Sequence, residues 1–116
     1  AAIFSAGYKE GCILLPQLGA KAEVAFGPAG LGDLYVTATS PHGRNRRMGE
    51  MLGRGLTLEQ ALEEMIMVAE GVRAARMFRD RAEGMNIEIP FVKALNTLLD
   101  DYIDAEECCR RMVALS

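Results

Sequence analysis

The sequence predicts an all-α protein, and three observations carry that expectation. Apolar residues recur at three- and four-residue intervals along most of the chain, the spacing that lines one face of a helix. Two stretches, Thr57-Leu58-Glu59-Gln60 and Asp104-Ala105-Glu106-Glu107, have the form of helix starts, with a short side-chain oxygen three residues ahead of a longer polar residue. Strand-forming residues gather in one place only, Leu34 to Ser40, where a single strand would leave its backbone groups without a partner. About six or seven helices are expected, with one non-helical feature at residues 27–47.

The elements follow in order. Residues 1–15 read as a helix with Ile3, Phe4, Gly7, Ile13 and Leu14 on one stripe, stopped by Pro16. Lys21 to Phe26 has room for a further turn or two. Gly27-Pro28-Ala29-Gly30-Leu31-Gly32-Asp33 is too rich in glycine and proline for the interior of any regular element. Leu34 to Ser40 is assigned to helix for want of a partner strand, with Asp33 as its N-cap. Ser40-Pro41-His42-Gly43 is a turn. A helix runs from Arg44 to about Leu52 and ends at Gly53 and Gly55. The next is opened by the Thr57–Gln60 capping box and carries Leu58, Ala61, Leu62, Met65 and Ile66 inward. Glu70 to Glu83 is helical, with Val72, Ala75 and Phe78 or Met77 inward, Arg73, Arg76, Arg79 and Arg81 mostly outward, and Gly84 as C-cap. Ile87 to Ile89 is extended, Pro90 suits the first turn of a helix reaching Leu99, and Asp104 opens the last helix, to about Leu115.

Composition narrows the function classes. With 116 residues, 50% of them hydrophobic, the chain has the size and content of one domain with one core. No apolar run approaches the roughly 20 residues of a membrane-spanning helix. The net charge of −3 argues against a general nucleic-acid binder. Three cysteines, two of them adjacent, make a poor disulfide framework and point to a reducing, cytoplasmic setting. With His42 the sole histidine and no Cys-x-x-Cys spacing, no metal site is expected. A start without Met inside an apolar, helix-like run suggests a segment removed upstream.

Two neighbouring segments carry chemistry. Residues 40–55 hold Arg44, Arg46, Arg47 and Arg54 against only Glu50, a local positive excess inside a negative chain. Cations at a helix N-terminus oppose the helix dipole, and a bound anion would reverse that cost by meeting free N–H groups and guanidinium forks together. Arg44 and Asn45 are best placed for this; Arg46 and Arg47 are expected to be solvated or paired with neighbours such as Glu50. The alternative is a solvated basic turn. In the glycine-rich segment, Asp33 is either an N-cap or an acceptor for the hydroxyls of a polyol. The segment is neither a dinucleotide fingerprint nor a P-loop, since it lacks the third glycine, a preceding strand and a Gly-Lys-Ser/Thr.

Taken together, these residues resemble a known family. Ala29-Gly30-Leu31-Gly32-Asp33-Leu34, then Thr37, Thr39 and Ser40, then Arg44-Asn45-Arg46-Arg47 with Gly49, is similar to the C-terminal domain of NAD(P)-dependent glycerol-3-phosphate dehydrogenase. Val68-Ala69-Glu70-Gly71 resembles that family's Val-x-Glu-Gly, and Ile89-Pro90 its apolar-Pro step. The likeness extends over essentially the whole chain. It implies a single helical substrate-binding domain over 1–116, similar to the 6-phosphogluconate dehydrogenase C-terminal-domain-like fold, that follows an N-terminal Rossmann domain absent from this chain. The implied reaction is hydride transfer between dihydroxyacetone phosphate and glycerol 3-phosphate, a step toward glycerophospholipids. By the same resemblance Asp33, Gly43, Arg44 and Asn45 contact substrate, and Arg44, Val68 and Glu70 approach the cofactor. The cofactor, NAD or NADP, is held mainly by the Rossmann domain, and the enzyme is a cytoplasmic homodimer. Gly43 stands where the family usually has serine, and Ala6 where it usually has arginine. The catalytic lysine would lie upstream, so this chain holds no catalytic residue and is expected not to turn over alone.

Three alternatives remain open. A dehydrogenase of the same architecture could act on another small anionic hydroxy compound. A helical nucleic-acid-binding module could use Arg44 to Arg54, although the chain has few aromatics and no Trp. A helical interaction module could use a face rich in the seven methionines.

Overall fold

The computed structural model describes residues 1–19, 43–65 and 70–116. The segments Lys21 to Phe26, Gly27 to Asp33 and Leu34 to Ser40, together with His42, Ile66 and Val68, lie outside the described residues. Six α-helices make up the rest: α1 Ala2–Gln17, α2 Arg44–Gly53, α3 Leu58–Glu64, α4 Glu70–Gly84, α5 Pro90–Leu99 and α6 Ala105–Ala114. No strand occurs among the described residues.

The expected helix starts have concrete partners. Thr57 Oγ1 accepts from the Gln60 N–H at 3.2 Å, and Gln60 Oε1 accepts from the Thr57 N–H at 2.9 Å, closing the capping box of α3. Asp104 Oδ1 accepts from the Glu107 N–H at 2.8 Å at the start of α6. Pro90 occupies the first turn of α5, where its missing N–H costs nothing.

Helix ends differ more from expectation. Pro16 does not stop α1, which runs on to Gln17. A proline in the last turn removes one donor only, and the Leu18 N–H still reaches the carbonyls of Leu14 and Leu15 before Gly19 turns away at φ +98°. Gly84 is not the C-cap of α4 but its last helical residue. Asn86 takes the left-handed conformation at φ 57°, and the Ile87 N–H bonds to the Ala82 carbonyl at 2.9 Å. Asparagine tolerates that conformation, so a Schellman-type end forms two residues later than the glycine suggested. Asp101 plays the same part after α5, at φ 63°. Gly55, at φ +97°, closes α2 as its sequence indicated.

Helix α5 is central, packing against α4, α6 and α1. Met48, Met51 and Leu52 of α2 meet Ala61, Ala75 and Leu99 in one cluster. Leu14, Ala82 and Ile89 form a second, and Ala94, Cys108 and Met112 a third. Burying each large apolar side chain in these clusters contributes about 2 kcal/mol. Two inward assignments are corrected, and one alternative is resolved. Ile13 is 54% exposed, because the stripe facing inward from α1 is Ala6, Glu10 and Leu14, four residues apart. Leu62 is 41% exposed, and Met77 is 48% exposed while Phe78 turns inward. Arg76, expected outward, is instead half-buried. It donates to Asn96 Oδ1 at 2.8 Å and pairs with Asp100 at 2.7 Å. Asn96 in turn donates to the carbonyls of Ala75 and Val92, both at 3.0 Å, so one polar network ties α4 to α5.

Glu10 is the least expected core residue. Only 8% exposed, it accepts from the Phe91 N–H at 2.7 Å and the Val92 N–H at 2.9 Å, capping α5 from the middle of α1. Ile89, the N-cap of α5, contributes no side-chain bond of its own. The buried carboxylate thus meets two orphan donors and the positive end of a helix dipole. Gly7, one turn before, leaves room for the Phe91 ring: a Cβ there would stand 2.9 Å from Cζ.

Candidate functional site

The basic segment opens a helix, as its sequence indicates. Gly43 is the N-cap of α2 in extended conformation (φ −68°, ψ 143°), with no side chain to cap the first turn. Arg44, Asn45, Arg46 and Arg47 follow with no acidic residue in that turn, and all four are exposed. Three cations therefore crowd the positive end of a helix dipole. Among the described residues only Arg46 of these three finds an ionic neighbour, donating through Nε to Glu50 Oε1 at 3.3 Å; in so exposed a pair this is worth about a few tenths of a kcal/mol. Arg44 and Arg47 have no ion-pair partner among the described residues.

Asn45 reaches across to another helix start. Its Oδ1 accepts from the Gly71 N–H at 2.8 Å, one of the four donors that the first turn of α4 cannot satisfy internally. The approach is so close that a Cβ on Gly71 would stand 2.6 Å from Oδ1. Glu70, exposed, is the first residue of α4 and the neighbour of Gly71. Behind the contact lies a hollow of about 220 Å³, walled by Met48, Leu52, Val72, Leu95 and Leu99. A larger cleft of about 560 Å³, around Arg79, Glu83, Lys93 and Tyr102, contains none of the expected substrate- or cofactor-binding residues.

Gly43, Arg44, Asn45 and Glu70 thus fall at one edge of the molecule, where α2 and α4 begin side by side. Asp33 and Val68, the other two expected site residues, lie outside the described residues. Among the described residues, a Cβ at Gly43 would meet nothing nearer than the Arg46 Cβ at 4.0 Å. Residue order placed Gly71 only within the Val-x-Glu-Gly likeness; its contact with Asn45, 26 residues away, left no local signal.

Comparison with known proteins agrees with the helical architecture and with these motifs. Residues 1–110 match the model of the family described as NAD-dependent glycerol-3-phosphate dehydrogenase C-terminus. The chain belongs to that family. Curated relatives include the glycerol-3-phosphate dehydrogenase [NAD(P)+] of Clostridium tetani, 39% identical over 93% of this chain and 31% of its own length. The protein of the same description from Paracidovorax citrulli is 42% identical over 100% of this chain and 34% of its own length. That of Shouchella clausii is 42% identical over 97% and 34%. The chain therefore spans about a third of the length of the curated relatives it matches. No solved structure matches it. Among the described residues, no helix is long and apolar enough to cross a membrane.

Proposed function

We propose that the chain is the substrate-binding domain, residues 1–116, of a cytoplasmic, homodimeric glycerol-3-phosphate dehydrogenase. Its reaction is reversible hydride transfer between dihydroxyacetone phosphate and sn-glycerol 3-phosphate, the product serving glycerophospholipid synthesis. The observation that carries this is the Asn45–Gly71 bond, which sets the Arg44-Asn45 start of α2 against the Glu70-Gly71 start of α4.

A triose phosphate carries about two negative charges at neutral pH. The first turn of α2 offers it unsatisfied N–H groups, the Arg44 guanidinium and the Asn45 amide together. Gly43, lacking the usual serine hydroxyl, contributes its backbone only. Asp33 would accept from the hydroxyl end of the substrate. The nicotinamide, NAD or NADP, supplies the hydride chemistry when bound. The residues here fit its approach: Arg44 and Glu70 are exposed at the same edge, one able to meet a phosphate and the other to accept from a ribose hydroxyl. Val68, by the family likeness, would also approach the cofactor. A Rossmann domain joined to this chain holds most of the cofactor and supplies the lysine that moves the proton at the carbonyl.

The test is a comparison of two proteins. The full-length enzyme oxidises NADH or NADPH when dihydroxyacetone phosphate is added, and the 116-residue chain alone does not. A full-length protein that ignores dihydroxyacetone phosphate but reduces another small anionic ketone would move the assignment to a different dehydrogenase. Turnover by the isolated chain would overturn the division of labour.

A further inference from the structure

We propose that Gly71 is a positioning residue for the candidate site: by accepting the close approach of Asn45, it fixes which end of that amide faces the ligand and holds the two helix starts in register. The inference rests on the proposed dehydrogenase function and adds a residue to it. Its basis is geometric. The Gly71 N–H is a donor, so the group bonded to it at 2.8 Å must be the amide oxygen of Asn45. The orientation of the carboxamide is thereby decided by hydrogen-bond complementarity. Nδ2, with two N–H donors, makes no hydrogen bond among the described residues, and Asn45 is exposed. An amide held in this way presents donors only, which suits the oxygens of an anion and not a hydroxyl hydrogen or a cation.

Space enforces the same arrangement. A Cβ on residue 71 would lie 2.6 Å from Oδ1, 2.9 Å from Cγ and 3.3 Å from Nδ2, so any larger residue must displace the whole carboxamide. Asn45 is the second residue of α2 and Gly71 the second of α4. The bond between them therefore ties Arg44 and Asn45, the substrate side, to Glu70, the cofactor side. Loss of the bond frees one helix start relative to the other, so both ligands should respond.

Three variants of the full-length enzyme separate the roles. Asn45→Asp keeps an oxygen for the Gly71 N–H but replaces the donors with negative charge. It is expected to raise KM for dihydroxyacetone phosphate at least a hundredfold while NADH binding stays within twofold of the parent. Gly71→Ala keeps the donors but evicts the amide, and Asn45→Ala removes the bond without any clash. Both are expected to weaken NADH binding about five- to tenfold as well as raising KM. Asn45→Ala guards against the case in which Gly71→Ala does not fold. If the parent enzyme turns over and Asn45→Ala and Gly71→Ala bind NADH as the parent does, the positioning role is wrong. If the parent itself does not turn over dihydroxyacetone phosphate, it is the proposed function that fails.

Discussion

Among the described residues, two helix starts take a side-chain acceptor from a remote helix, and they do so under opposite conditions. At the start of α5, Glu10 of α1 accepts two backbone N–H bonds, at 2.7 and 2.9 Å, in a buried setting. At the start of α4, Asn45 of α2 accepts one bond, at 2.8 Å, on the surface. The first uses a charge and leaves nothing free. The second uses a neutral group, commits half of it, and leaves the donors of the other half toward solvent. Buried caps hold a fold because water cannot replace their bonds. Exposed caps contribute less to stability, and for that reason the same side chain is free to serve a ligand. The contrast separates a cap that holds the fold from the cap at the candidate site.

Replacing Glu10 tests the stronger arm. Glu10→Ala leaves two part-buried donors without their acceptor at the end of a helix dipole and is expected to destabilise the chain by about 2 kcal/mol in urea unfolding. Glu10→Gln keeps one acceptor and is expected to lose about half of that. Equal stability of the alanine variant and the parent would erase the distinction drawn here. The weaker arm is tested by Asn45→Ala, expected to cost at most about 1 kcal/mol of stability, the usual scale for one surface cap. A loss as large as that of Glu10→Ala would mean that the Asn45 bond is structural first.

The smallest effect concerns two adjacent cysteines that repeat the contrast. Cys108 is buried, with its Sγ donating to the Ala94 carbonyl, whereas Cys109 is exposed. Burial pushes the Cys108 thiol above its ordinary value, with the neighbouring Cys109 adding to the shift. A raised thiol pKa in the folded state favours the neutral form. Its contribution to stability is present below the ordinary thiol range, about 8.5, and is lost as pH rises through it toward the folded value. Iodoacetamide at mildly alkaline pH is therefore expected to modify Cys109 well before Cys108, as read by mass spectrometry of the peptides. Equal rates would show that α6 opens readily from α5.

Much of this architecture was legible in residue order alone. The capping box at Thr57, the Asp104 cap, Pro90 in a first turn and the glycine end of α2 are local devices whose partners lie within five residues, so spacing identifies them. The basic start of α2 was legible for the same reason: four residues in sequence are four residues on one turn. The extension of α1 past Pro16 was not, because a proline in the last turn loses one bond that its neighbours can spare. Nor was the end of α4, where Asn86 rather than Gly84 adopts the left-handed conformation.

What the sequence by itself determined, among the described residues, is the helices, their starts and the cluster of arginines that opens α2. Helix formation depends on neighbours three and four residues apart, and those are written in the order of the chain. What only the tertiary structure decided is which helix start meets which acceptor. Glu10 and Phe91 are 81 residues apart, Asn45 and Gly71 are 26, and Arg76 and Asn96 are 20. No periodicity encodes such pairings. They exist because the packing of α1, α2 and α4 around α5 brings orphan donors within hydrogen-bond reach of side chains that, read in isolation, looked like surface charge or a substrate contact.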